Sequence, residues 1–342
     1  MARVLGKQHS NVVVIAEIGV NHNGSLDLAK ELVSRAAETG ADYAKFQTFR
    51  AENLATSAAP VANYQKVSSP GARQVDLLAS LELSEEDFKE LVDHCREEGI
   101  GFLTTAHDLA TAPFVFNLNS DFIKVPSGDV TNFPFLRLVG QQRRPVLLST
   151  GASHAEEVLA AIKVLESHGL PRAQITVMQC TTEYPAPIDE ANLLAMVAMG
   201  QRWGVSIGYS DHTLGQHAAL AAVALGATVL EKHITLDRTA KGPDHAASLE
   251  PEEFARMVQA VRSVVLSLGH SEKEVTSAEA QNRDVIRKSI VANQPIAVGE
   301  LLTEENLGVM RPGSGISPMR WDDVVGQRAS RSYEAHDTIE LS

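Results

Sequence analysis

Chemistry-bearing side chains fall at the ends of short apolar segments in this sequence. Lys45 and Lys124 each stand within such a segment, and an ammonium group buried there without an anion costs free energy. Serine and threonine hydroxyls recur nearby and, together with backbone N–H groups, suit a phosphate and a carboxylate. Taken singly, Lys45 could extend to solvent at a rim, and each hydroxyl could cap a helix. Taken together, these residues predict a pocket for a small anion.

Two histidines follow the last two of these segments, in the strings GYSDHT and EKHITLD. If the two segments are neighbouring strands, His212 and His233 lie close together, with Glu17 at the end of the first segment. Two imidazoles without a thiolate suit Mn²⁺, Fe²⁺ or Zn²⁺ rather than a closed structural zinc site. Because a lone histidine is more often a hydrogen-bonded structural residue, spacing alone leaves both interpretations open.

These residues belong to an alternation of strand-like and helix-like segments that repeats eight times. The apolar residues of the strand-like segments come in runs, as in parallel strands covered on both faces. Eight units within residues 1–269 predict an α/β fold, a (β/α)8 TIM barrel, with the polar side chains at the carboxyl ends of its strands. A doubly wound sheet is the alternative, but no Gly-rich dinucleotide loop follows the first segment. The predicted strands are residues 12–19, 43–49, 101–107, 122–128, 145–151, 175–182, 204–211 and 228–235.

The chain changes character after the predicted barrel. Residues 270–284 are polar and predict a linker or an isolated short helix, and residues 285–342 predict a small β-rich domain. A domain of that size usually depends on a partner for its stability. Residues 50–83, after the second strand, are too long for a simple loop and are expected to be functional.

Composition excludes several classes of protein. The 342 residues are 44% apolar and 21% charged, close to the globular average, and the net charge of −13 disfavours binding to a nucleic-acid backbone. No apolar run reaches the ~20 residues that span a bilayer, and the first residues lack the pattern of a signal peptide. With only Cys95 and Cys180 as cysteines, we expect a cytoplasmic protein without membrane or nucleic-acid partners.

Nine strings carry a more specific signal. In order they are AEIGVNHNGSLDLAKELV, AKFQTF, PSGD, LLSTG, CTTEYPAP, GYSDHT, EKHITLD, KGPDHAASLEP and RPGSGISP. From residue 12 onward the chain resembles the sialic acid (nonulosonate) synthase family, which includes N-acetylneuraminate, N,N'-diacetyllegionaminate and pseudaminate synthases. The resemblance implies that the barrel is followed by an antifreeze-like (SAF) domain. CTTEYPAP, GYSDHT and GPDHAASLEP are most similar to the legionaminate branch.

The resemblance implies a C–C bond-forming transferase. It would condense phosphoenolpyruvate, water and an N-acylated mannosamine-type aldehyde, and release phosphate. The acceptor would be ManNAc or its 2,4-diacetamido-6-deoxy analogue, giving N-acetylneuraminate or N,N'-diacetyllegionaminate. A divalent metal ion is implied, Mn²⁺ first, with Mg²⁺ or Co²⁺ as alternatives. A domain-swapped homodimer is expected, in which residues 285–342 of one subunit cover the partner's barrel.

The resemblance also assigns roles to individual residues. Phosphoenolpyruvate binding falls on Lys45, Gln47, Thr105, Lys124, Ser127, Ser149, Thr182 and Ser210, metal binding on His212 and His233, sugar binding on Asp129, Tyr184, Asp244 and Arg311, and catalysis on Glu17 with both histidines. His107 departs from the family, which often has an aromatic residue there, and is a candidate base or sugar contact. The rival functions are a Schiff-base pyruvate aldolase, with Lys45 or Lys124 as nucleophile, and a non-enzymatic sugar-binding protein.

Overall fold

The structure, a computed structural model, describes residues 12–54, 56 and 73–341. Its larger unit contains one eight-stranded sheet in the order β3-β2-β1-β8-β7-β6-β5-β4, paired in parallel, and β3 lies beside β4. The TIM-barrel prediction is therefore confirmed, and each strand lies within its predicted segment. The strands are β1 (Val13–Gly19), β2 (Tyr43–Thr48), β3 (Gly101–Ala106), β4 (Ile123–Val125), β5 (Val146–Ser149), β6 (Ile175–Cys180), β7 (Ser206–Asp211) and β8 (Val229–His233).

Helices connect the strands and cover the outside of the barrel. The Ser25 hydroxyl accepts a hydrogen bond from the Leu28 N–H at the start of α1, and Ser84 and Asp87 form a reciprocal cap at the start of α4. In the long segment 50–83 the described residues include two short helices, whereas residues 55 and 57–72 lie outside the described part. The helices of this unit are α1 (Leu26–Glu38), α2 (Ala51–Leu54), α3 (Gln74–Ala79), α4 (Glu85–Glu97), α5 (Ala112–Asn117), α6 (Phe133–Gln142), α7 (Ala155–Ser167), α8 (Leu193–Trp203), α9 (His217–Ala224) and α10 (Pro251–Leu268).

The barrel interior changes from apolar to polar along the strands. Side chains alternate between the two faces of a strand, so Val14 and Ala16 of β1 pack towards the helices while Ile15 points into the barrel. Ile15 belongs to an apolar cluster with Leu103, Leu147, Met178 and Val229, which fills the barrel below the site. The next inward residue of β1 is the buried Glu17. Buried polar groups therefore begin directly above this apolar layer.

The C-terminal part forms a separate compact unit, which begins at Glu272. It contains helix α11 (Ser277–Ile286), so the segment predicted as a linker or short helix is in part helical. The antiparallel strands β9 (Ser289–Ala292) and β10 (Leu307–Met310) follow, and then the short helix α12 (Trp321–Val324). Ile290, Leu307 and Tyr333 belong to its own small apolar core. No described helix combines the length and apolar character needed to cross a membrane.

Candidate active site

A cavity of about 730 Å³ opens at the carboxyl ends of the barrel strands. It is lined by every residue predicted for the site except Asp244 and Arg311. Asp244 lies just behind the cavity wall, with its Oδ2 3.9 Å from His233 Nδ1. Arg311 belongs to the C-terminal unit, where its Nε donates to the Ile286 carbonyl at 3.1 Å. The predicted site residues on and directly after the barrel strands therefore converge on one cavity.

Two lysines and two glutamates form a buried chain of charges on the cavity floor. Lys45 Nζ lies 2.7 Å from Glu17 Oε2 and 3.6 Å from Glu231 Oε2. Lys124 Nζ donates to both oxygens of Glu231 at 2.8 Å. The side chains are all less than a tenth exposed, so water screens these charges only weakly. Each ammonium group therefore has a carboxylate partner within the protein itself.

Glu231 lines the cavity, although no role was predicted for it from the sequence. The Ser210 hydroxyl donates to its Oε1 at 2.9 Å, so Glu231 contacts both a predicted substrate-binding hydroxyl and a predicted substrate-binding lysine. The available signal was the requirement that two lysines in apolar strands have an anion. That requirement does not distinguish a carboxylate of the chain from a bound substrate.

Burial and mutual attraction shift these groups in different directions. Burial raises the pKa of Glu17, and Lys45 opposes this shift only in part. For Glu231, burial is outweighed by Lys124 and Lys45, and its pKa is lowered. Burial would lower the pKa of Lys45, but Glu17 and Glu231 together raise it. The site thus keeps a protonated Lys45 and an ionised Glu231 beside Glu17, a carboxyl group with increased proton affinity.

The two predicted metal ligands lie side by side. The ring centroids of His212 and His233 are 5.6 Å apart, and the Tyr184 ring lies against His212, tilted by 33°, with a centroid distance of 4.1 Å. His212 Nδ1 lies 2.7 Å from the Thr181 carbonyl oxygen and donates to it, which leaves the lone pair on Nε2. Burial lowers the pKa of His212 to about 4 and that of His233 well below its ordinary value. Both imidazoles are therefore neutral at physiological pH.

This pair fits a divalent ion. Imidazole nitrogens bind such ions at about 2.0–2.1 Å, and two rings at this separation can surround one ion. Among the described residues, His233 Nδ1 is buried without a hydrogen-bond partner. The described part of the chain has no group of three or more His, Cys, Asp or Glu side chains placed to hold a metal. Two histidines alone would leave several coordination positions open, as in catalytic rather than structural sites.

A cluster of small groups forms another wall of the cavity. The Gly151 N–H donates to Ser127 Oγ at 2.9 Å, and Ser127 Oγ lies 3.2 Å from Cys180 Sγ. A Cβ atom on Gly151 would overlap Thr182 Oγ1 and lie 2.9 Å from Ser127 Oγ. Only glycine therefore lets both hydroxyl groups lie so close to the backbone at position 151, where they add hydrogen-bond donors to the cavity wall.

Asp129 and His107 also line the cavity, and each contacts a neighbouring side chain. Asn132 Nδ2 donates to Asp129 Oδ1 at 2.8 Å, and burial raises the pKa of Asp129. His107 packs edge-on against Phe49, and burial followed by the charges of Lys45 and Lys124 lowers its pKa to about 3. His107 is thus neutral and lines the cavity, where it can accept or donate a hydrogen bond.

Comparisons with known proteins agree over most of the chain. A model of the NeuB family matches residues 32–273, and a SAF domain model matches residues 287–342. The N,N'-diacetyllegionaminic acid synthase of Campylobacter jejuni is 42% identical over 96% of this chain and 98% of its own length. The human N-acetylneuraminate-9-phosphate synthase is 36% identical over 98% of this chain and 93% of its own. The crystal structure of a sialic acid synthetase from Leptospira borgpetersenii, in complex with citrate, superimposes with a TM-score of 0.71 at 29% identity and covers 80% of this chain and 90% of that one.

Proposed function

The chain belongs to the NeuB family, and from this premise we propose that it is a synthase that makes a nine-carbon, sialic-type sugar acid. It condenses phosphoenolpyruvate with an N-acylated mannosamine-type aldehyde and water, and releases phosphate. One observation carries the proposal: two buried ammonium groups, several hydroxyls and two neutral imidazoles line the same cavity. The ammonium groups and hydroxyls suit the phosphate and carboxylate of phosphoenolpyruvate. The imidazoles suit a metal ion, which would make the carbon of the aldehyde more electrophilic.

Phosphoenolpyruvate would bind over the floor of the cavity. Lys45 and Lys124 supply charge-assisted hydrogen bonds to its two anionic groups, and such bonds are strong where water is excluded. Ser127, Ser149, Thr182 and Ser210, together with Gln47 and Thr105, add neutral donors around the same space. These contacts hold the enol phosphate in one orientation, with its C3 towards the acceptor.

The histidine pair would hold a divalent ion, with Mn²⁺ as our first candidate and Mg²⁺ or Co²⁺ as alternatives. When bound, such an ion supplies a Lewis acid that polarises the aldehyde oxygen. His212 is oriented for this by the Thr181 carbonyl, which fixes its tautomer. Tyr184 covers the His212 ring and narrows the access of water on that side.

The reaction then forms one C–C bond and one C–O bond to water, and it breaks the C–O bond between C2 and phosphate. The C3 carbon of phosphoenolpyruvate attacks the aldehyde carbon, and water adds at C2 before phosphate leaves. Of the two protons of that water, one ends on the former aldehyde oxygen and the other on the departing phosphate. Glu17, with its raised pKa, is placed to accept a proton from that water, while Gln47 Nε2 donates to its Oε1 at 3.2 Å and orients it. No covalent bond to a lysine is needed.

We propose 2,4-diacetamido-2,4,6-trideoxymannose as the acceptor, with ManNAc as the alternative. The C. jejuni relative and a Legionella pneumophila relative, 39% identical, are both N,N'-diacetyllegionaminic acid synthases. The apolar side chains of Leu54 and Leu109 line the cavity together with Asp129 and Tyr184. Such a mixed lining suits a sugar that carries a methyl group beside amides and hydroxyls.

We further propose that the protein works as a domain-swapped homodimer in a reducing cytoplasm. The exposed Arg311 of one subunit, with its five N–H donors, would contact the acyl amide of the sugar in its partner's barrel. Asp244, beside His233, would contact the sugar hydroxyls. Cys95 and Cys180 are free and buried, as expected of a protein that never meets an oxidising compartment.

The decisive experiment measures phosphate release from phosphoenolpyruvate with Mn²⁺, across a panel that contains both proposed acceptors and glucose-type controls. Release that depends on an N-acylated mannosamine-type aldehyde supports the proposal, and the preferred member identifies the acceptor. Prolonged EDTA treatment should abolish turnover, and added Mn²⁺ should restore it. Turnover of the wild-type protein that survives complete chelation would contradict the role of the metal.

The Schiff-base alternative is tested separately. An imine requires a neutral amine. The carboxylates around Lys45 raise its pKa. Burial lowers the pKa of Lys124, but its Nζ donates to both oxygens of Glu231, and this ion pair favours the charged ammonium over a free amine. Incubation with pyruvate and borohydride should therefore leave no reduced adduct on either lysine. A mass increase on Lys45 or Lys124 would favour the aldolase, and absence of phosphate release with every acceptor would favour a sugar-binding protein.

A further inference from the structure

A fully buried ion pair lies behind the two histidines, on the outer side of the barrel wall. Lys232 Nζ lies 2.8 Å from Asp211 Oδ2 and donates to the Thr213 carbonyl at 2.6 Å. Neither charged side chain is exposed to solvent at all. Asp211 and Lys232 pair directly across β7 and β8, and each immediately precedes one of the histidines in sequence.

Stability alone does not explain this pair. Desolvation of two charges usually cancels their attraction, and apolar side chains of similar volume serve equally well in a protein interior. What the pair does provide is a fixed distance between two neighbouring strands. Asp211 Oδ1 also accepts from the N–H and the hydroxyl of Thr213, at 2.9 and 2.8 Å, so one carboxylate holds the backbone on both sides of His212.

The alternation of side chains turns this outward pair into a constraint on the inward histidines. Ser210 and His212 face the cavity from β7 and its end, and Glu231 and His233 face it from β8. Asp211 and Lys232, between them, point the other way. An ion pair between these two positions fixes how the ends of β7 and β8 are shifted and rotated relative to each other. It thereby fixes the separation of the imidazole rings.

We propose that the Asp211–Lys232 ion pair is a positioning device, which sets His212 and His233 at the separation that one divalent ion requires. Neither residue touches the cavity, so their role is exerted through the histidines. The inference rests on the proposed function only in that the histidines bind an ion, and it makes no use of the reaction.

Lys232→Met distinguishes positioning from electrostatics, because the two predict opposite results. Removal of a nearby positive charge should favour cation binding, whereas loss of the tie should weaken it. We expect metal-free Lys232→Met to bind Mn²⁺ about 10- to 100-fold more weakly than wild type, as for other residues that orient metal ligands. Affinity is measured by electron paramagnetic resonance of free Mn²⁺. The visible absorption of bound Co²⁺ should change as well, because it reports ligand geometry.

The double variant Asp211→Asn/Lys232→Met keeps the test sharp if the single variant does not fold. It leaves no unpaired buried charge, and the introduced amide keeps an oxygen for Thr213. The melting temperature should therefore stay near that of wild type, whereas the affinity for Mn²⁺ should fall by the same factor as in Lys232→Met. Asp42→Asn is the matched control, because it breaks the Arg262–Asp42 ion pair (2.8 Å), which also holds barrel elements together but lies next to the amino end of β2. Its Mn²⁺ affinity should equal that of wild type.

The outcomes separate this inference from the proposed function. If wild type binds no Mn²⁺, the proposed metal site is wrong and the inference falls with it. If wild type binds Mn²⁺ and the folded Lys232 variants bind it equally well, with an unchanged Co²⁺ spectrum, only the positioning role is refuted.

Discussion

Both carboxylate oxygens of Glu231 lie 2.8 Å from the Nζ of Lys124, and one of them lies 3.6 Å from Lys45 Nζ. The carboxylate therefore occupies the position between two ammonium groups that a substrate anion would share. With phosphoenolpyruvate absent, this arrangement prevents the repulsion of two buried cations. If phosphoenolpyruvate binds as proposed, the lysines would have a second anion to contact, and Glu231 would become less necessary for stability.

Glu231→Gln should expose this dual role. The amide keeps the shape of the side chain but removes its charge, which leaves Lys124 without a counterion. Loss of one partner of a buried pair costs roughly 3 kcal/mol of unfolding free energy. We expect a lower melting temperature without ligand, and a larger increase on addition of phosphoenolpyruvate than wild type shows. Calorimetry measures the increase in melting temperature on addition of phosphoenolpyruvate. An equal increase in the variant and in wild type would contradict this role.

Lys45→Met and Lys124→Met should each damage phosphoenolpyruvate handling. Methionine keeps much of the length of lysine but lacks the charge. We therefore expect kcat/KM for phosphoenolpyruvate to fall, by an amount equivalent to roughly 2–4 kcal/mol of lost transition-state stabilisation. Steady-state kinetics with saturating acceptor measure the effect. Lys89→Met, on the exposed surface of α4, is the matched control and should behave as wild type. Unchanged kinetics in both buried variants would refute the proposed clamp.

Gly151→Ala should impair the donor cluster around Ser127. The new methyl group would overlap Thr182 Oγ1, so the hydroxyl must move, and such overpacking costs about 1–3 kcal/mol. We expect KM for phosphoenolpyruvate to rise about 10-fold, with a smaller effect on KM for the sugar. Gly128→Ala adds the same methyl group to the lining of the same cavity, but its Cβ meets no heavy atom within 4 Å, so it should change this KM less. A KM of Gly151→Ala equal to that of wild type would show that the close approach has no function.

The barrel could be predicted because its signals are local. Apolar runs such as that of β1 mark strands, and caps such as Ser84 with Asp87 mark helix starts; each is readable without knowledge of the rest of the chain. The convergence of Lys45, Lys124 and both histidines then follows from the topology, because every strand of a TIM barrel ends on the same face.

Side-chain pairing could not be predicted in the same way. Whether Lys124 contacts Glu231 depends on the register of non-adjacent strands β4 and β8, which the sequence specifies only through the complete fold. Asp244 lies in a loop after β8, and its position beside His233 follows from loop conformation rather than from any periodic pattern. The residue roles carried by family resemblance, including those of Asp129 and Arg311, stay predictions.

Asp244 should make stability depend on pH in an unusual direction. Burial, with repulsion from Glu17 second, raises its pKa from 3.8 to about 7. Between these values the unfolded chain has lost a proton that the folded protein keeps, so the contribution of Asp244 to stability decreases as pH rises and levels off above about 7. Asp244→Asn removes this contribution.

The comparison to make is the unfolding free energy of metal-free Asp244→Asn minus that of wild type. We expect this difference to increase between pH 4 and 7, by up to roughly 4 kcal/mol, and then to stay constant. Differential scanning calorimetry at half-unit pH steps follows the change. Glu253→Gln, which replaces a half-buried carboxyl group whose pKa is lowered, is the control and should show no such increase. A pH-independent difference for Asp244→Asn would show that its carboxyl group is ionised throughout.

The proposed domain swap rests on two observations. The C-terminal unit has a small core of its own, around Ile290 and Tyr333, of a size that usually needs further contacts. Arg311 is exposed there, although the family resemblance places its counterpart over the substrate. An arginine contributed in trans would complete a water-excluding site that neither subunit forms alone. The alternative is that each C-terminal domain serves its own barrel.

Mixing two inactive proteins decides between these arrangements. Arg311→Ala keeps an intact barrel but lacks the arginine, and His233→Ala keeps the arginine but lacks a metal ligand. In a swapped mixed dimer, the barrel that keeps His233 receives the partner's Arg311. One of the two active sites of that dimer is then complete. Random exchange after dissociation should restore activity to about a quarter of the wild-type sites. A domain that serves its own barrel leaves every site defective, so no recovery despite exchange shown by native mass spectrometry, or an active monomer, would refute the swap.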